Sequence, residues 1–231
     1  MKTYRHIFFD LDQTIWDFES NSAEALTELY HKHSLQHHGV EKPENFIKTY
    51  KHHNELLWEQ YRYEKIDRET LRNLRFDNTF RDLGIEQKEL SRQISDEYIS
   101  LASRKTTLIP HAFPVLSYLK EKYSLHVITN GFEEVQFTKI RTSGLKKFFT
   151  RIITSEMAGC KKPDRKIFIH SLSLARAKRN ESLMIGDSLS ADIHGAKNAG
   201  LDQVFFNPGK KPHNAAPTYE INCLGDLKNI L

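Results

Sequence analysis

The sequence predicts an α/β protein whose parallel sheet is interrupted, directly after its first strand, by a helical insert. Three observations carry that expectation. From Leu108 onward, short apolar runs alternate with amphipathic stretches, the pattern of strands separated by covering helices. One further run, Ile7-Phe8-Phe9, stands apart near the start of the chain. Between them, residues 16–105 carry helical spacing and no convincing strand.

The elements follow in order. Ile7–Phe9 is short and wholly apolar, as a strand covered on both faces must be. In the insert, Leu26, Leu29, Tyr30 and His33 mark a first helix, for which Asn21 and Glu24 offer a start resembling a capping box. Pro43 opens a second helix bearing Phe46, Tyr50, Leu57 and Tyr61. Leu71, Leu74, Phe80 and Leu83 mark a third that stops at Gly84, and Leu90, Ile94, Tyr98 and Leu101 a fourth. Four such helices make a small bundle. Beyond it, strands are expected at Leu125–Thr129, Arg151–Thr154, Leu183–Gly186 and Val204–Phe206, with helices near 112–122, 133–143, 164–174 and 190–199. The expected organisation is therefore a core of residues 1–15 and 106–231 and an inserted bundle of 16–105, with crossings near 15–18 and 104–108 as hinges. Open α/β sheets bind ligands outside the carboxyl ends of their strands, so a bundle inserted there is expected to act as a lid.

Composition narrows the classes. Over 231 residues, 39% are hydrophobic and 28% charged, which suits a soluble globular chain and argues against disorder. No apolar stretch is long enough to span a bilayer, and Met1 to Arg5 runs into the first strand without a signal-peptide core. A cytoplasmic protein without membrane partners is expected. Cys160 and Cys223 form no disulfide framework. The net charge of +4 is spread among nearly as many acids as bases, which suits small anionic substrates better than a nucleic acid polymer. A monomer or weak homodimer is expected. The histidines of the insert, among them His31, His33, His37 and His52, lack cysteine partners and tetrahedral-site spacing, and read as solvated.

Four segments carry chemistry. Asp10-Leu11-Asp12-Gln13-Thr14 follows the first strand directly, and two carboxylates this close make chemical sense around a hard cation. Thr129-Asn130-Gly131 ends the next strand with a hydroxyl and accessible backbone N–H groups, donors suited to phosphate oxygens. Lys162 precedes Pro163, which holds its backbone extended and lets a helix begin; its ammonium suits a phosphate or Asp10. Gly186-Asp187 ends a further strand, with Asp192 five residues later, so Asp187 is expected at the metal and Asp192 behind it, binding the ion through water or orienting the other ligands.

In order, spacing and strand context, this constellation resembles the haloacid dehalogenase superfamily over nearly the whole chain. The resemblance implies a Rossmann-like core, with the insert as that superfamily's first type of helical cap (type C1). The dehalogenases lack the second acid, so Asp12 argues for phosphoryl transfer. A closer similarity, to the YjjG-type pyrimidine 5′-nucleotidases, rests on Phe8-Phe9-Asp10, Ile128 to Phe132, Lys162-Pro163 and the stretch from Asp192 to Leu201, with Asn54, Leu57, Trp58 and Tyr61 in the insert.

Together these features lead to the expectation of an Mg²⁺-dependent hydrolase acting on a small-molecule phosphomonoester. Asp10 is the expected nucleophile and Asp12 the acid and base. Asp10, the Asp12 carbonyl and Asp187 are the expected metal ligands; Thr129, Asn130 and Lys162 with Asp10 bind the phosphoryl group, and Thr14 locks the loop. Trp16, Trp58 and Tyr61 are expected to stack on a pyrimidine base. A sugar-phosphate or phosphoglycolate phosphatase and a β-phosphoglucomutase-like phosphomutase share the same four segments and stand as alternatives.

Overall fold

The computed structural model describes residues 3–231. The chain divides into two compact units, one formed by residues up to Phe18 together with Thr106–Leu231, the other by Glu19–Lys105.

The first unit is built on six parallel strands: β1 (His6–Phe9), β2 (Ser124–Thr129), β3 (Phe149–Thr154), β4 (Ser182–Gly186), β5 (Asp202–Phe206) and β6 (Tyr219–Ile221). Their order across the sheet is β3-β2-β1-β4-β5-β6. β1 is therefore central, and the chain builds outward first on one side of it and then on the other. That reversal opens the crevice at the carboxyl end of β1 where α/β sheets place ligands. Alternation along β1 explains its unbroken apolar run: Ile7 and Phe9 join one core with Val127, Ile185 and Val204, while Phe8 joins another with Ile128, Phe168 and Met184.

In the second unit α1 (Phe18–Lys32, whose first residue belongs to the first unit), α2 (Pro43–Arg62), α3 (Arg68–Asp82) and α4 (Lys88–Ala102) enclose a core of Leu26, Phe46, Tyr50, Phe76, Ile94 and Tyr98, among others. Asp67 caps α3 by accepting from Thr70 N–H at 2.7 Å. The start expected at Asn21 is corrected: α1 begins at Phe18, and Asn21 lies inside it, fully buried. The crossing segments determine this, because Asp17 N–H donates to Thr107 O and Ile109 N–H to Ile15 O, fixing where the chain leaves the sheet unit.

Around the sheet lie α5 (Ala112–Lys120), α6 (Glu133–Thr142), α7 (Ser155–Ala158), α8 (Arg165–Ala175), α9 (Gly195–Ala199) and α10 (Leu227–Ile230). Two local expectations change here. α8 begins at Arg165, not Pro163, because Asp164 caps it by accepting from Lys166 N–H at 2.8 Å. The helix expected over 190–199 opens instead as a π-turn across Leu189–His194, where Asp192 and Ile193 N–H both reach Ser188 O at 2.9 and 3.2 Å. β6 was not apparent in the sequence, since three residues, Tyr219–Ile221, show no alternation long enough to read.

Candidate active site

Asp10 follows the last residue of β1, and its N–H donates to Ile185 O at 2.9 Å, so the sheet ladder extends to it. Phe9 pairs with Val127 on one side and Ile185 on the other. The register brings the ends of β2 and β4 alongside Asp10, which is how carboxylates far apart in sequence meet. Asp10, Asp187 and Asp192 each offer an oxygen within 4.8 Å of the others.

A single ammonium organises the group. Lys162 is buried, and its Nζ donates to Asp10 Oδ1 at 2.5 Å, Asp192 Oδ1 at 2.6 Å and Ile128 O at 2.8 Å. All three N–H bonds of the ammonium are used. Its place is set from outside the cluster: Lys162 N–H donates to Asn130 Oδ1, and Asn130 Nδ2 donates back to Lys162 O. The Asn130 amide is thus committed to the main chain of Lys162. Thr129 is buried, and its hydroxyl accepts from Gly131 N–H at 3.0 Å, shaping the turn after β2.

Asp192 is tied into the π-turn by accepting from Ser188 N–H at 3.0 Å. Its side chain lies over Gly186, where a Cβ would stand 2.3 Å from Asp192 Oδ2; only glycine lets the acid pass this close to the strand. Asp192 thus joins the carboxylate cluster, with one oxygen on Lys162 Nζ and the other on Ser188 N–H. Thr14, fully buried, donates from its hydroxyl to Asp187 Oδ1 at 3.1 Å, tying the loop after β1 to the end of β4.

The electrostatics follow from burial. Desolvation holds the Asp10 carboxyl well above the usual range, and Asp192 and Asp187 reinforce this against the pull of Lys162. Asp187 is pushed up to about 7, by burial first and by Asp192 second. Burial alone would lower the Lys162 ammonium, but Asp10 and Asp192 outweigh it and keep it charged. Three carboxyl groups face one ammonium, so ionising all three leaves a surplus of negative charge that burial makes unfavourable without a further cation. Oxygen donors with that surplus fit a hard divalent cation.

Asp12 stands apart. Its carboxylate is turned toward α6, where Oδ1 accepts from Lys139 Nζ at 2.6 Å and Oδ2 from Gln136 Nε2 at 2.9 Å. The sequence carried no sign of Lys139 or Gln136, which look like ordinary polar positions on a surface helix. Of the aromatic residues, Trp16 is fully buried in the sheet unit with Lys139 Nζ 4.2 Å from its ring centroid. This corrects the expectation of a free stacking face there. In the helical unit Trp58 and Tyr61 meet edge to face, their ring centroids 5.5 Å apart.

Comparison with known proteins agrees with this geometry. The family model for haloacid dehalogenase-like hydrolases matches residues 4–200. The chain is 33% identical to the pyrimidine 5′-nucleotidase PynA of Streptococcus pneumoniae, over 99% of this chain and 97% of that protein. It is also 33% identical to the glyceraldehyde 3-phosphate phosphatase of Pyrococcus furiosus, over 91% of this chain and 83% of that protein. Among solved structures, that of YfnB from Bacillus subtilis bound to magnesium has a TM-score of 0.89 at 33% identity and covers 99% of both chains. The family match spans most of the sheet unit and all four chemical segments: the chain belongs to the haloacid dehalogenase-like hydrolases.

Proposed function

We propose that this hydrolase cleaves phosphomonoesters with Mg²⁺ through an aspartyl-phosphate on Asp10, and that its substrates are pyrimidine nucleoside 5′-monophosphates. The observation that carries the reading is the buried Asp10 carboxylate held by Lys162 beside two further acids. A carboxylate so placed is a nucleophile, and one kept from diffusing or capturing bulk water.

An Asp10 oxygen forms a bond to phosphorus as the bond to the leaving oxygen breaks, and Asp12, protonated at the start of the cycle, gives that oxygen its proton. Water then attacks the same phosphorus, Asp12 takes its proton, and inorganic phosphate leaves with Asp10 restored. Lys162 and the Thr129 hydroxyl stabilise the charge on the phosphoryl oxygens. Asn130 keeps Lys162 in place, and Thr14 does the same for Asp187. When bound by Asp10, Asp187 and the Asp12 carbonyl, Mg²⁺ supplies the charge compensation that lets an anionic nucleophile meet an anionic phosphate.

The pyrimidine nucleotide assignment is supported by the similarity to PynA over nearly the full length of both chains. A second reading, a sugar-phosphate phosphatase, is favoured by equal identity to the Pyrococcus furiosus enzyme. The four core segments handle the phosphoryl group in either case and do not read the leaving group. A steady-state panel with Mg²⁺, with and without chelator, decides. Turnover of UMP, dUMP and dTMP well above sugar phosphates is expected. Sugar phosphates cleaved with none of these nucleotides touched would remove the nucleotidase assignment. Phosphate isomerised without release would indicate a mutase.

A further inference from the structure

The residue that handles the proton in this reading is itself held by a device outside the four segments. Asp12 has one carboxylate oxygen on Lys139 at 2.6 Å and the other on Gln136 at 2.9 Å, both from one face of α6. Two donors on two oxygens fix the plane of the carboxylate as well as its rotamer. Neither donor is an ordinary surface residue. Lys139 is 5% exposed and Gln136 1%.

Each is there at some cost. Burying an ammonium is unfavourable unless it is paired, and the partners of Lys139 are Asp12 and the rings of Trp16 and Phe18, at 4.2 and 5.6 Å. Gln136 spends its amide N–H on Asp12 and leaves its Oε1 buried with no partner. Its amide also fills the space over Gly131, where a Cβ would overlap Nε2, so the turn after β2 is shaped to admit it. Burial of this kind does not add to stability by itself. It does hold one acid in one place.

From this geometry we infer that Lys139 and Gln136 are positioning residues for Asp12. They keep its carboxylate out of the cluster of Asp10, Asp187 and Asp192, so that it is not drawn onto the cation and is held in one orientation for proton transfer. Trp16 and Phe18 form the platform on which Lys139 rests. The inference depends on the phosphoryl-transfer reading, and it assigns a function to residues that reading does not use.

Lys139→Met preserves the packing on Trp16 and removes the donor; Lys139→Arg retains a cation, and Gln136→Met removes the second donor alone. With UMP and p-nitrophenyl phosphate as probes, Lys139→Met is expected to lower kcat by roughly tenfold or more, within the range assigned to general acid–base groups. The KM and the Mg²⁺ concentration for half-activation stay within about twofold, since neither the phosphoryl site nor the cation cluster is altered. Lys139→Arg recovers most of the kcat, and Gln136→Met shows a smaller fall of the same kind. Should Lys139→Met lower the folded fraction, Gln136→Met carries the test. A kcat within twofold of wild type in both, or a fall accompanied by an equal loss of Mg²⁺ activation, overturns the inference. Wild-type protein that turns over neither probe overturns the phosphomonoester hydrolase reading itself, and the inference falls with it.

Discussion

Asn130 grips the main chain of Lys162 on both sides, accepting from its N–H at 2.8 Å and donating to its carbonyl at 2.9 Å. The two residues end different segments, and this pair of bonds converts a turn after β2 into a mount for the lysine. The ammonium it carries then spans Asp10 and Asp192. A side chain that touches neither acid thereby sets the spacing of both.

Asn130→Ala is expected to cost about 2 kcal/mol of stability from the two lost hydrogen bonds. Turnover should fall further than the loss of folded protein explains, because Lys162 is freed to shift. Denaturant melts alongside kcat at saturating substrate measure both effects, and an unchanged kcat would show that Lys162 is held well enough by its acids.

Asp10→Asn retains the shape and hydrogen-bonding capacity of the side chain and removes the nucleophile. Turnover should fall by at least about a thousandfold, with the circular dichroism spectrum unaltered. Appreciable residual turnover with Mg²⁺ present would contradict an aspartyl-phosphate.

Gly186→Ala places a methyl group 2.3 Å from Asp192 Oδ2 and 2.6 Å from its Cβ. Asp192 is fully buried and tied to Lys162 and Ser188 N–H, so it has no space into which to withdraw. Overpacking of this kind costs about 1–3 kcal/mol. Thermal denaturation should show that loss, and Mg²⁺-dependent activity should fall with it.

His126 gives the fold an acid sensitivity remote from the candidate active site. It is buried between His6 and Phe8, with Nε2 3.2 Å from His6 Nδ1 and its own Nδ1 unpartnered. Burial first, then His6 and Arg151, lower it to about 4 from an ordinary 6.5. Between those values the unfolded chain binds a proton that the folded chain does not, so stability falls as the pH falls. The loss approaches about 3 kcal/mol near pH 4. Denaturant midpoints from pH 7 to 4.5 should follow this slope, and His126→Phe should flatten it.

Sequence alone was enough for the order of β1 to β5 and of the longer helices between them, because each apolar run is short, bounded and largely buried. It also singled out Asp10, Lys162 and Asp187, which the structure brings together, since their residue types sit at strand ends or before a proline where backbone geometry is already constrained. It also gave the helical insert, from spacing sustained over four separate stretches. Tertiary structure alone decided the rest. The Asn130 amide was committed to the main chain of Lys162, and Trp16 became a buried platform and not an open face. Asp192 came into the carboxylate cluster because a π-turn, invisible in periodicity, folds it back over Gly186. Lys139 and Gln136 met Asp12 across more than a hundred residues of chain. A local pattern reports which way a backbone runs and which residues avoid water. Which polar group finds which partner depends on the register of distant strands, and that is settled only when the sheet closes.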